Sequence, residues 1–187
     1  IDSTIVSGVF ILNINTGGGL EKNTINGNKI YDLSVTKPGA RVAGIYSCRY
    51  EPLNPFIGGR RINLYNNIIG DLRAPASGNS SRPSVMGISI ENNTTKDTID
   101  IYHNTIDLRA SSSNPAFSST ALYTDTLARI WSYGNIFNNI STPGAAGKSV
   151  AYWRQGVSLT NFSGDYNSLY AGSPSTNRLI YVDGTNS

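Results

Sequence analysis

Acidic and basic side chains return together along this chain. The tetrad Asp71-Leu72-Arg73-Ala74 recurs as Asp107-Leu108-Arg109-Ala110, and Asp32-Leu33 begins a further copy. If these segments stack as equivalent strands, Asp32, Asp71 and Asp107 fall in one column with a step of about 4.8 Å. Carboxylates so spaced can share a hard cation such as Ca2+, which takes about six to eight oxygen ligands. Arg73 or Arg109 beside them can grip a uronate carboxylate through two parallel N–H bonds. The competing reading is charge compensation on a solvated face, where ion pairs contribute little.

Two sets of aromatic residues offer a different chemistry. Tyr65, Tyr102 and Tyr133 occupy equivalent places, with Trp131 two positions before the last, and Tyr46, Tyr123 and Trp153 form a second set. Placed on an outer face, such rings are platforms for sugars, whose C–H faces stack on aromatic surfaces. Equally, they are ladder stabilisers, since cross-strand aromatic pairs are worth about 0.2–1 kcal/mol each. The single histidine, His103, stands where the other copies carry Gly27, Asn66, Gly134 and Tyr166. A position that accepts that range is a poor general base. The lone Cys48 excludes an internal disulfide and reads as a small buried hydrophobe.

The elements that position these residues follow from a repeat. Asn, any residue, then a large apolar residue returns at Asn28, Asn67, Asn104, Asn135 and Asn167, at steps of 39, 37, 31 and 32. A pattern with that period marks a solenoid. Upstream of each Asn, segments such as Ile62–Tyr65 and Ile99–Tyr102 alternate apolar and polar, the signature of a strand with one buried face. A second strand follows in each copy, with Gly or Ala before the bulky residue in Gly44-Ile45, Gly87-Ile88, Ala121-Leu122 and Ala151-Tyr152. Segments rich in Pro, Gly and Ser separate the two. No stretch carries a helical period with caps. The predicted fold is all-β, a right-handed parallel β-helix of about five coils, with the five Asn residues as an inward ladder. A β-sandwich is the alternative, but it does not require identical side chains at identical offsets.

At 187 residues the chain suits one solenoid section spanning 1–187. Charged residues are 14% of it and the net charge is +3 without a basic run, which speaks against nucleic acid as partner. No apolar run approaches the length of a membrane span, so membrane insertion is not expected. Repeat-like sequence reaches both ends, so the chain reads as a piece of a longer protein. Open solenoid ends then call for flanking domains or self-association.

The runs Ile62–Leu72 (INLYNNIIGDL) and Ile99–Leu108 (IDIYHNTIDL) resemble the right-handed parallel β-helix repeats of pectate-lyase-like proteins. Asn139–Arg154 (NISTPGAAGKSVAYWR), Tyr166–Gly172 and Leu179–Asn186 resemble sections of large exported surface proteins of Bacteroidota. The resemblance covers the chain from about Asn23 onward. It implies a β-helix and a secreted or cell-surface location, and it leaves activity open because many activities share the scaffold. Hydrolases of that fold pair close aspartates beside a Gly-His-Gly and an Arg-Ile-Lys. Here His103 lacks flanking glycines, and Arg129-Ile130-Trp131 lacks the lysine. The resemblance also implies O-glycosylation at Asp-Ser/Thr triplets, which makes Ser3, Thr98 and Thr126 candidates.

These readings point to a non-catalytic structural stalk or adhesin with polysaccharide or cell-surface partners and no cofactor. Candidate contacts are Asp71, Arg73, Asp107, Arg109, Tyr65, Tyr102, Trp131, Tyr133 and Trp153. The alternative is a lyase-like enzyme on acidic glycans, using Ca2+ and the Asp–Arg face.

Overall fold

The structure, a computed structural model, describes residues 5–13, 21–49, 59–79, 82–91, 95–125, 127–156 and 162–184. Eighteen strands and no helix occur among them. After β1 (Ile5–Asn13), the first coil holds β2 (Glu21–Asn26), β3 (Lys29–Ile30), β4 (Leu33–Ser34) and β5 (Arg41–Arg49). The second holds β6 (Arg60–Tyr65), β7 (Ile68–Gly70), β8 (Leu72–Arg73) and β9 (Val85–Ile90). The third holds β10 (Thr98–Tyr102), β11 (Thr105–Leu108) and β12 (Ser119–Thr124), and the fourth β13 (Arg129–Tyr133), β14 (Ile136–Asn139) and β15 (Ser149–Arg154). The fifth is β16 (Phe162–Asp165), β17 (Ser168–Tyr170) and β18 (Arg178–Asp183).

Equivalent strands of successive coils pair in parallel. Sheet A runs β1-β5-β9-β12-β15-β18, sheet B runs β2-β6-β10-β13-β16, and sheet C runs β3-β7-β11-β14-β17. A short pair, β4-β8, forms a fourth. This is the parallel β-helix that the repeat predicts. Its interior is lined by in-register apolar files, such as Ile62–Ile99–Ile130 from sheet B and Ile69–Ile106–Phe137 from sheet C. All six of these side chains are buried. Each contributes about 1.5–3 kcal/mol by leaving water.

The turn from sheet B to sheet C is the same in every coil. Gly27, Asn66, His103, Gly134 and Tyr166 all have positive φ, between 54° and 67°. The left-handed residue reverses the chain in one step and turns the following Asn inward. That explains why Gly, Asn and His occupy this place, the types that visit this region most readily. Tyr166 (φ 56°) is the exception, a bulky residue held in a costly conformation.

The inward Asn residues form one file along the axis. Nδ2 of Asn28, Asn67, Asn104 and Asn135 donates to Oδ1 of the Asn in the next coil at 2.9, 2.9, 3.1 and 2.9 Å. The main-chain N–H of each donor residue reaches the same oxygen. In the other direction Nδ2 of Asn67, Asn104, Asn135 and Asn167 donates to the carbonyls of Ile25, Leu64, Ile101 and Ser132 in the preceding coil. The amides of Asn67, Asn104 and Asn135 therefore each tie three coils together, and polar groups at the corner of an apolar core are satisfied.

Sheet A carries one unpaired position stacked through its central strands, with the register unchanged on either side. Gly44 and Gly87 are left unpaired between Ala43–Met86 and Ile45–Ile88, as Ala121 and Ala151 are one and two coils on. A Cβ on Gly44 or Gly87 would overlap Cγ2 of Ile69 or Ile106, the inward sheet C residue of the next coil. Glycine is demanded there by close approach, not by its dihedral freedom.

One register differs from expectation. Asp71 and Asp107 do not share a column: Asp107 pairs with Gly70 on one side and Asn138 on the other. Asp71 stands four positions after Asn67, whereas Asp107 stands three after Asn104. The extra residue is absorbed by a left-handed Asp71 (φ 47°), matched in the first coil by Asp32 (φ 59°). The slip is confined to the aspartates: Leu72 and Leu108, like Ala74 and Ala110, are buried alike, and Arg73 and Arg109 are both exposed.

Candidate functional site

The outer face of sheet B is a grid of polar and aromatic side chains, because alternate residues of its strands point away from the core. Three files cross it. The first is Lys22, Arg61, Thr98 and Arg129; the second Thr24, Asn63, Asp100, Trp131 and Ser163; the third Asn26, Tyr65, Tyr102, Tyr133 and Asp165. The predicted tyrosine column is thus real, with Trp131 beside it.

The tyrosines are occupied with one another and with their neighbours. The rings of Tyr102 and Tyr133 stack, with centroids 6.0 Å apart and an interplanar angle of 28°. Asn26 Nδ2 donates to the Tyr65 hydroxyl at 2.7 Å, and the Tyr102 hydroxyl donates to Asp100 Oδ1 at 3.1 Å. The Tyr133 and Ser163 hydroxyls lie 2.7 Å apart. The stacked pair turns one face of each ring to the other, whereas Tyr65 joins no ring stack among the described residues.

Trp131 is different. It is 40% exposed, and its ring joins no stack among the described residues. Arg129 and Tyr133, two residues before and after on β13, share its face. The Arg129 guanidinium is exposed and has no hydrogen-bond or ion-pair partner among the described residues. In register on the third coil lies Asp100, whose side chain is only 1% exposed although it points outward. Arg61 Nε donates to Asp100 Oδ2 at 2.6 Å, and that hydrogen bond pushes the Arg61 pKa up. Burial, then the hydrogen bond to Asp100, raises the Tyr102 phenol. Asp100 thus holds Arg61 and the Tyr102 hydroxyl, and its own charge is compensated. Arg129 and Asp100 were not singled out by the sequence; their alternation with Trp131 and Tyr102 was the available signal.

Trp153 lies on the outer face of sheet A, as expected, but is covered. Tyr46, Ser89, Tyr123 and Trp153 form one file. The three aromatic residues are 8%, 0% and 6% exposed and pack with Ala43, Met86 and Val150 in a second apolar cluster. Trp153 as a sugar platform is therefore corrected: its ring fills that cluster. Ser89 leaves a gap in the file beside Glu91. The Glu91 carboxylate accepts from Arg41 Nη1 at 2.6 Å, Arg82 Nη1 at 3.0 Å and Ser89 Oγ at 3.0 Å. Burial opposes the charge of Arg41, but the neighbouring Glu91 outweighs it and the Arg41 pKa rises.

A second ionic group lies at the corner between sheets A and B. Arg60 Nε meets Asp97 Oδ2 at 3.2 Å with both side chains fully buried, and the Arg60 N–H donates to Asp97 Oδ1 at 2.9 Å. Its other nitrogens donate to Ser47 Oγ and to the Glu91 carbonyl. Thr98 follows this buried aspartate at the start of β10, so the glycosylation triplet at 97–99 belongs to a paired strand. Ser3 and Thr126 lie outside the described residues.

The Asp–Arg edge is a set of exposed pairs. Arg73 Nη1 meets Asp71 Oδ1 at 3.0 Å and Arg73 Nη2 meets Asp32. Arg109 Nε meets Asp107 Oδ2 at 2.9 Å, and Asn138 Nδ2 donates to Asp107 Oδ1 at 2.5 Å. Both arginines are engaged by their own aspartates. Among the described residues no group of three or more His, Cys, Asp or Glu side chains is placed to hold a metal ion. His103 is exposed, and its ring lies over Gly134, where a Cβ would come within 2.7 Å of Nδ1.

Comparison of the chain with family models, curated proteins and solved structures finds no match.

Proposed function

We propose that this chain is a non-catalytic section of a secreted or cell-surface β-helical protein. It serves as a stalk or adhesin and contacts carbohydrate through the outer face of sheet B. The carrying observation is Trp131: a large ring, 40% exposed, unstacked, and flanked by hydrogen-bonding groups on a rigid sheet. An exposed aromatic ring beside convergent polar groups suits a sugar, whose C–H face stacks while its hydroxyls find partners. The Asn ladder supports the stalk role, since it ties each coil to the next and resists local opening. The resemblance to pectate-lyase-like repeats and to exported surface proteins of Bacteroidota supports a location outside the cell.

A glycan array tests the reading. Retention of one or more glycans that is lost in Trp131→Ala, with far-UV circular dichroism unchanged, is the expected outcome. Binding unaffected by that substitution, or no retention at all, removes it. Incubation with polyuronates and Ca2+ tests the lyase-like alternative. Unsaturated product that disappears in Arg109→Ala would defeat the non-catalytic assignment.

A further inference from the structure

We infer that the glycan taken by sheet B is anionic: its sugar ring stacks on Trp131 and its carboxylate or sulfate is held by Arg129. This rests on the reading of sheet B as a carbohydrate face and adds the charge class of the ligand.

The charges around Trp131 carry the argument. Asp100, the acidic neighbour on the adjacent coil, is buried and spoken for by Arg61 Nε and the Tyr102 hydroxyl. Its compensation by Arg61 leaves Arg129 as the uncompensated cation next to the indole. The one other acid of this face among the described residues, Asp165, lies diagonally across on the fifth coil beside Tyr133, on the side of Trp131 away from Arg129. Arg129 and Trp131 are two residues apart on one strand, so their side chains project from the same face about 6.6 Å apart at the backbone. A guanidinium in that position binds a planar or tetrahedral oxyanion through paired N–H bonds. A neutral sugar leaves those donors to water.

The same file gives the ligand a direction. Lys22, Arg61, Thr98 and Arg129 are in register over four coils, with Lys22 exposed and without a side-chain partner among the described residues. Three coil steps separate Lys22 from Arg129, about 14 Å along the axis. A chain laid parallel to the axis with a repeating negative charge reaches both cations. One bound monosaccharide reaches only Arg129.

Matched probes test this. Polygalacturonate is compared with its methyl ester, and dextran sulfate with dextran, by quenching of tryptophan fluorescence and by affinity electrophoresis. Trp131 is the exposed indole and Trp153 the buried one, so the signal reports sheet B and disappears in Trp131→Phe. The expected result is at least tenfold tighter binding of the charged member of one pair. Arg129→Gln removes most of that preference, Lys22→Gln weakens long chains but not short oligomers, and Trp131→Ala weakens binding at least tenfold. Which pair responds tells carboxylate from sulfate.

Equal binding of charged and neutral members, lost in Trp131→Ala but indifferent to Arg129→Gln, overturns the anionic inference and leaves the carbohydrate face standing. Charged probes bound as well by Trp131→Ala, and matched by single-stranded poly(dT), indicate unspecific attraction and overturn both. Failure to bind all four probes overturns the inference, and the glycan array then decides the underlying reading separately.

Discussion

Asn67 gives two donors to one atom: its main-chain N–H and its Nδ2 reach Asn104 Oδ1 at 3.1 and 2.9 Å. Removing that oxygen leaves two buried donors unmet, and removing the rest of the Asn104 amide strips the Leu64 carbonyl of a donor as well. Unsatisfied buried groups cost about 1–3 kcal/mol each. Asn104→Ala is therefore predicted to lower stability by at least about 2 kcal/mol. Asn28→Ala, at a half-buried place in the file, is predicted to cost about 1 kcal/mol or less. Urea unfolding of the two variants checks this; equal costs would mean that the ladder is not cooperative in the way its geometry indicates.

Gly87 and Ile106 are coupled by shape. A Cβ at residue 87 would overlap Ile106 Cγ2 and approach the Ala121 carbonyl. Gly87→Ala is predicted to cost about 1–3 kcal/mol through overpacking, and Ile106→Ala to be less harmful in that background than alone. A double-mutant cycle measures the coupling, and simple additivity would reject it.

That pair also shows why the architecture was legible. Gly44 and Gly87 face a β-branched Ile69 and Ile106. Where sheet C carries Phe137 and Leu169, which are not branched at Cβ, the sheet A column holds Ala121 and Ala151 instead. A solenoid repeats one local problem in each coil, so the answer is written several times, as the Asn file and the left-handed residue before it also show.

The failures have equally local causes. The repeated tetrad misled because sequence counts residues whereas register counts hydrogen bonds, and Asp71 absorbs one residue in a left-handed turn. Arg41 meets Glu91 across 50 residues and Arg60 meets Asp97 across 37, each through segments whose lengths vary between coils. Alternation shows that a residue points outward. It does not show whether that face is then covered, which is why Trp131 and Trp153 part company.

Arg60 and Asp97 are a buried pair, and breaking such a pair from one side is costly. Asp97→Asn takes from a fully buried guanidinium the carboxylate charge it is paired with. The predicted loss is about 3–5 kcal/mol. Arg60→Met combined with Asp97→Asn is predicted to be less destabilised than Asp97→Asn alone, because the stranded charge is gone. Equilibrium unfolding of both variants checks the order, and its reversal would show that the pair does not act as a unit.

The Asp–Arg edge is predicted to behave in the opposite way. Arg73 and Arg109 are about half and two-thirds exposed, and their partners are also accessible to water. Arg73→Ala and Arg109→Ala are each predicted to change stability by about 1 kcal/mol or less, and less still at high salt. A larger, salt-insensitive loss in thermal unfolding would show that the edge has a structural role beyond surface compensation.

Alkali tests the covered face of sheet A. Burial raises the phenol pKa of Tyr46 and Tyr123 on that face, and of Tyr152 in the core, well above the ordinary value of 10.0. A phenol whose pKa is higher in the folded state stabilises that state fully below the unfolded value. The contribution is lost as pH rises past about 10 towards the folded value. Their contribution to stability is therefore predicted to be independent of pH around neutrality and to fall steeply above about pH 10. Ultraviolet titration should show their phenolate absorbance appearing together with loss of the far-UV β signal. Tyr123→Phe, which removes one such group and its hydrogen bond to Gln155, is predicted to move the alkaline transition to higher pH. Ionisation of these phenols ahead of any loss of secondary structure would instead show that the sheet A cluster admits water while folded.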